Sequence, residues 1–227
     1  MIDAVFFDLD GTLADTCPDM ARTVNEMRKR RGLAPLTEAH VRPHVSRGAR
    51  GMILAAFEVT GDDPAFTAMR DEFLEIYGAN LCIGTRLFPG MEALLDRLDR
   101  SGIPWGVVTN KFERFARPVV EALVGNRAAI IVGGDTCARA KPHPDPLLHA
   151  ARVIGVDPKR ALYVGDDERD VQAARAAGMH VVVAGYGYLG DGAPPSQWKS
   201  DAVLESPAAL DAWIRNARKR SAAGVEQ

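Results

Sequence analysis

The chain opens on a short apolar run, Ala4 to Phe7, that passes directly into Asp8, Leu9, Asp10, Gly11 and Thr12. A run of that length ending in charged and turn-forming residues predicts a buried strand that stops at a polar turn. After Asp15 the pattern changes. Apolar positions then follow helical spacing: Met20, Val24 and Met27; Met52, Ile53, Ala56 and Phe57; Phe66, Met69, Phe73, Ile76 and Tyr77. Gly32, Pro35, Gly48, Gly61 and Pro64 punctuate these stretches, and residues 16–85 are predicted to form a small all-helical unit.

From Leu87 onward, short apolar runs alternate with helical stripes. Met91, Leu94, Leu95 and Leu98 form one stripe, which ends at Gly102, a residue suited to a left-handed cap. Strands are predicted over 103–108, 129–132, 161–164 and 180–183. Helices are predicted over 115–123, from Pro146 to before Gly155, and through Val171 and Ala174 to Gly178. Strands that read as continuous apolar runs between helices imply a doubly wound parallel sheet covered on both faces, an α/β class. The core is therefore discontinuous, residues 1–15 and 86–227, with the helical unit 16–85 inserted after the first strand. Residues 185–195 read as a loop, and the chain beyond Arg215 as a basic helix end.

Composition narrows the picture only slightly. The 227 residues are 47% hydrophobic and 26% charged, with 28 basic and 30 acidic side chains, which is ordinary for a globular protein. A formal charge of -2 predicts neither a nucleic-acid nor a membrane-surface partner. Cys17, Cys82 and Cys137 are odd in number and widely spaced, so a disulfide framework is not expected and a reducing, cytoplasmic location is. The sequence suggests no signal peptide and no membrane span.

Chemistry enters at the strand ends, where open α/β sheets bind their ligands. Carboxylates two positions apart on a strand project to the same side, so Asp8 and Asp10 need a cation, a shared proton or separation. The alternative is a plain polar turn. The strand over 103–108 runs into Thr109, Asn110 and Lys111, a hydroxyl and an amide suited to an oxyanion, or equally to capping the next helix. Lys141, between strands, offers a point charge for phosphate, or is a solvated loop lysine. Asp166, Asp167, Glu168 and Asp170 follow the strand over 161–164, as metal ligands or as acids complementing a helix dipole.

In this order, these residues resemble the four motifs of the haloacid dehalogenase superfamily of phosphohydrolases. Asp8-Leu9-Asp10-Gly11-Thr12 is similar to the first, Thr109-Asn110 to the second, Lys141-Pro142 to the third, and Gly165-Asp166-Asp167 with Asp170 to the fourth. The helical unit stands where that superfamily carries its C1-type cap. The resemblance implies that Asp8 is a nucleophile forming an aspartyl-phosphate and Asp10 an acid and base. It implies Mg²⁺ held by Asp8, the Asp10 carbonyl, Asp166 and Asp170, and phosphoryl oxygens bound by Thr109, Asn110 and Lys141. Asp10 favours phosphate chemistry, since true dehalogenases lack an acid there. Asp167 departs from the Ser or Thr frequent in related phosphatases, which bears on metal affinity.

The chain also resembles the phosphoglycolate phosphatase group, and the runs Ser46–Arg50, Arg86–Met91 and Trp105–Lys111 resemble N-acetylmuramic acid 6-phosphate phosphatases. Both substrates join a phosphate to a carboxylate, which Arg47 or Arg50, in a Gly-punctuated turn over 44–51, has the chemistry to grip; the same turn reads equally as a surface loop with solvated arginines. The expected partner is thus a small phosphorylated, carboxylate-bearing metabolite, and the expected assembly a monomer or homodimer. A phosphomutase and a catalytically silent binding protein on the same fold are the alternatives.

Overall fold

The computed structural model describes residues 1–223, with side chains through Arg220; residues 224–227 of the expected core lie outside the described residues. Strand β1 (Ala4–Phe7) is followed by a two-residue strand β2 (Ala14–Asp15), then by helices α1 (Cys17–Arg30), α2 (Glu38–Val41), α3 (Gly48–Phe57) and α4 (Phe66–Ala79). A 3₁₀ turn, Arg42–Arg47, joins α2 to α3. The chain returns through β3 (Arg86–Leu87), and then alternates: α5 (Met91–Arg100), β4 (Trp105–Val108), α6 (Glu113–Val124), β5 (Ile131–Val132), α7 (Asp145–Ile154), β6 (Ala161–Gly165), α8 (Glu168–Ala176), β7 (His180–Ala184), β8 (Ala202–Leu204) and α9 (Pro207–Ala223).

Six strands form one parallel sheet in the order β5-β4-β1-β6-β7-β8. Side-chain alternation divides the strands between two cores. Val5, Phe7, Trp105, Val107, Leu162 and Val164 pack under α5, α6 and α9, whereas Phe6, Val108, Tyr163, Val181 and Val183 pack under α7 and α8. Burial on both faces is why these strands read as unbroken apolar runs. The sixth strand, β8, was not expected from the sequence. Its three residues are only half-buried at the sheet edge, so it carries little apolar signal.

Register positions the functional groups. Phe7 lies opposite Val107 of β4 on one side and Val164 of β6 on the other. The residues that follow, Asp8, Thr109 and Asp166, therefore emerge together at the carboxyl edge of the sheet. The antiparallel pairing of β2 with β3 joins Ala14 to Leu87 and Asp15 to Arg86, so the chain leaves and re-enters the sheet layer side by side. Between those strands the helices bury their own cluster, including Met20, Val24, Met27, Met52, Ile53, Phe73 and Tyr77, together with Phe115 and Tyr188 from the sheet-bearing part.

One buried carboxylate fastens this helical segment at its exit. Asp19, 2% exposed, accepts hydrogen bonds from Gly84 N (2.7 Å), Thr85 N (3.1 Å) and Thr85 Oγ1 (2.6 Å), and pairs with Arg22. Burial alone would raise its pKa, but the Thr85 and Gly84 donors and the Arg22 charge outweigh burial and hold it below the usual value. Asp19→Ala leaves these donors unpartnered in the interior and is expected to cost about 2–4 kcal/mol in urea unfolding at pH 7. Because the folded pKa is depressed, the stabilisation is present above the unfolded value of about 4. It is lost as pH falls through the folded value. The stability gap between wild type and Asp19→Asn should thus narrow on acidification below pH ~4; a gap that widens there would contradict this assignment.

Candidate active site

Asp8 follows β1, and its Oδ1 lies 3.0 Å from Lys141 Nζ. That ammonium also meets Asp170 Oδ1 at 2.7 Å and donates to Val108 O and Tyr163 Oη, at 3.2 and 2.7 Å. Lys141 is thus no solvated loop lysine: it is buried and ties β4, β6 and α8 to the end of β1. Asn110, expected to bind phosphate, exchanges two hydrogen bonds with the Lys141 backbone, Nδ2 to O at 2.9 Å and N to Oδ1 at 3.0 Å. Its amide holds the lysine loop. Thr109 is buried, and its Oγ1 accepts from Lys111 N at 3.2 Å, which leaves the hydroxyl proton available to an oxyanion.

Asp166, fully buried, accepts from Thr12 Oγ1 (2.9 Å) and Tyr188 N (2.9 Å). Gly11 makes the approach possible. Its φ is +85°, and a Cβ there would collide with the Asp166 carboxylate. Asp170 closes a capping box with Asp167 at the start of α8. Asp167, the departure from the superfamily pattern, is the N-cap of that helix, and both its oxygens are forked by Arg169 at 2.8 Å. Burial would raise its pKa, but the Arg169 contacts prevail and lower it. Its extra charge is therefore neutralised locally.

Asp8, Asp166 and Asp170 bring one oxygen each within 4.8 Å of one another. Asp8 and Asp170 share the Lys141 ammonium, with Asp166 beside them, and the crowding is visible in the proton affinities of Asp8 and Asp166. Burial raises the Asp8 carboxyl, Lys141 lowers it, and Asp170 and Asp10 raise it again, to about 6. Burial, Asp8 and Asp170 push Asp166 well above the carboxylate range. An oxygen-only donor set with excess negative charge fits a hard divalent cation. Asp10 stands apart from this cluster: its carboxylate receives Thr16 Oγ1 at 2.6 Å and Lys111 Nζ at 2.9 and 3.1 Å.

Above these groups lies a cavity of about 300 Å³, at the small end of ligand pockets, roughly 300–1,000 Å³. Asp8, Asp10, Thr109, Lys111 and Lys141 line its floor, and Met20, Phe73, Leu74, Tyr77 and Phe115 form an apolar wall. Ser46, Arg47, Arg70 and Arg169 supply the rim. The two arginines expected to read substrate separate here. Arg47 lines the cavity but pairs with Asp191. Arg50 does not line it, and its guanidinium lies 3.0 Å from where a Gly61 Cβ would stand. The reason is local: the segment read as a turn is a 3₁₀ turn up to Arg47, and α3 already begins at Gly48. Arg50 is thereby in the first turn of α3, directed away. Arg169, which also donates to Ser46 O at 2.7 Å, and Arg70 had no signal in the sequence beyond being charged.

A family model described as haloacid dehalogenase-like hydrolase matches residues 2–178. The chain is 50% identical to a phosphoglycolate phosphatase of Xanthomonas campestris over 91% of its own length and 94% of the relative's. It is 40% identical to an N-acetylmuramic acid 6-phosphate phosphatase of Pseudomonas aeruginosa, over 92% and 93%. Among solved structures, a predicted phosphoglycolate phosphatase from Haemophilus somnus superposes with a TM-score of 0.80 at 31% identity, covering 92% of this chain and 96% of that one.

Proposed function

Because this chain belongs to the haloacid dehalogenase-like hydrolase family and is a phosphoric monoester hydrolase, we propose that it hydrolyses a small, carboxylate-bearing phosphomonoester, phosphoglycolate first. The observation that carries this reading is the floor of the cavity. A carboxylate braced by a buried lysine, a hydroxyl donor and an oxygen-only cation cluster converge where a phosphoryl group would enter.

Asp8 attacks phosphorus, and the bond to the ester oxygen breaks as the aspartyl-phosphate forms. Asp10 gives its proton to the departing alkoxide, then takes one from the water that cleaves the acyl phosphate and regenerates Asp8. Thr16 and Lys111 hold the Asp10 carboxylate in place. Thr109 and Lys141 meet the equatorial oxygens, where charge resides in the transition state. Asp8, Asp166 and Asp170, with the Asp10 carbonyl, would hold Mg²⁺, whose charge would offset the repulsion between nucleophile and anionic substrate. Residues 16–85 act as a cap over the cavity, and β2 with β3 is the hinge on which it sits.

N-acetylmuramic acid 6-phosphate is a second reading, favoured by the apolar wall of α4 and by Arg70 among the residues that line the cavity. The experiment is phosphate release with Mg²⁺ across phosphoglycolate, the muramic ester and common sugar phosphates, ranked by kcat/KM. Phosphoglycolate is expected to lead, with Arg47→Ala changing the ranking little because that side chain is tied to Asp191. A leading muramic ester would favour the second reading, and similar turnover of every ester would defeat both. Exchange of phosphate position with little release would instead indicate a mutase.

A further inference from the structure

Five cationic side chains border the cavity: Arg47, Arg70, Lys111, Lys141 and Arg169. Four are ill-placed to read a carboxylate close to the reacting phosphate. Lys141 is engaged by Asp8, Asp170, Val108 O and Tyr163. Arg169 forks Asp167 and donates to Ser46 O, Arg47 pairs with Asp191, and Arg70 pairs with the exposed neighbour Asp71 on the α4 rim.

Lys111 is also paired, but it differs in place. Its side chain is 6% exposed, and its ammonium lies within the cavity against the Asp10 carboxylate, with the Tyr77 ring centroid 4.8 Å away. A lysine against a carboxylate keeps its ordinary positive charge, and that charge stands at the cavity floor.

On the phosphomonoesterase reading, Asp10 faces the ester oxygen. A glycolate carboxylate is one methylene from that oxygen, so covalent geometry keeps it within about 3.5 Å. The cation that meets it must therefore adjoin Asp10. We propose that Lys111 is the specificity-determining residue for a carboxylate one carbon from the ester oxygen, with the cap-borne Tyr77 walling the same site.

The test compares kcat/KM for phosphoglycolate and for ethylene glycol monophosphate, its neutral counterpart of equal length. Wild type should prefer phosphoglycolate by about 10- to 100-fold, the range of a hydrogen bond to a charged group. Lys111→Met should bring that preference close to unity, and Lys111→Arg should retain part of it. If Lys111→Met slows both esters by one factor, the residue only positions Asp10 and the proposal fails.

Should the methionine variant not fold, wild type alone decides. Phosphate esters of glycolate, hydroxypropionate and hydroxybutyrate, each set against its neutral alcohol, should show a carboxylate advantage that falls with every added methylene. An advantage that is constant or rising places the reader elsewhere and overturns the proposal. Hydrolysis without any carboxylate preference defeats Lys111 alone, whereas no hydrolysis of any ester, p-nitrophenyl phosphate included, overturns it together with the functional reading on which it rests.

Discussion

Asp8→Asn is expected to lower kcat for phosphate release by about 10⁴-fold or more, the scale on which removal of a covalent nucleophile acts. The loss should fall on kcat and leave KM nearly unchanged, because the proposed phosphate ligands Lys141 and Thr109 are retained. It should not come from unfolding. Asn keeps the shape of the side chain and removes one of three crowded carboxylates, so the melting temperature of the variant should equal or exceed that of wild type. Near-wild-type turnover by this variant would rule out nucleophilic catalysis at Asp8.

Stripping divalent metal is the second large effect. Chelation followed by dialysis should reduce phosphate release at least about 10³-fold, and added Mg²⁺ should restore it. A separate readout is thermal. A cation that binds among Asp8, Asp166 and Asp170 in the folded state alone raises the melting temperature by mass action. Asp166→Asn should abolish that Mg²⁺-dependent rise. Full activity in the chelated protein, or an unchanged thermal response in Asp166→Asn, would contradict the cluster as the metal site.

The chain shows which structural features sequence can reveal and which it cannot. Strands buried on both faces announce themselves, so β1, β4, β6 and β7 were legible from their apolar runs alone. The half-buried edge strand β8 and the two-residue pair β2 and β3 were not, since neither buries enough apolar surface to leave a pattern. At the site, Asp8, Asp166 and Asp170 could be anticipated because each directly follows a strand or opens the next helix, and the structure brings their oxygens together.

Lys111 was visible only as the residue after Asn110. Its position on Asp10 depends on how far the lysine side chain reaches across the gap between β4 and β1, which no spacing rule encodes. The same limit applied to the arginines. Whether Arg47 or Arg50 faces the cavity turns on where α3 begins, and a start at Gly48 places Arg50 over Gly61. Asp167 looked like an anomaly at a metal-binding loop and proves to be a helix cap with its own counter-ion.

The most direct test of the account is to find the phosphoryl group on Asp8. In Asp10→Asn the acid and base are removed, but p-nitrophenyl phosphate has a leaving group that needs no proton, so the first step proceeds and the second stalls. That variant, mixed with p-nitrophenyl phosphate and Mg²⁺ and quenched in acid, should release about one nitrophenolate per enzyme. Peptide mass spectrometry should locate the phosphoryl adduct on Asp8. Repeated turnover with Asp8 unmodified would contradict the aspartyl-phosphate mechanism.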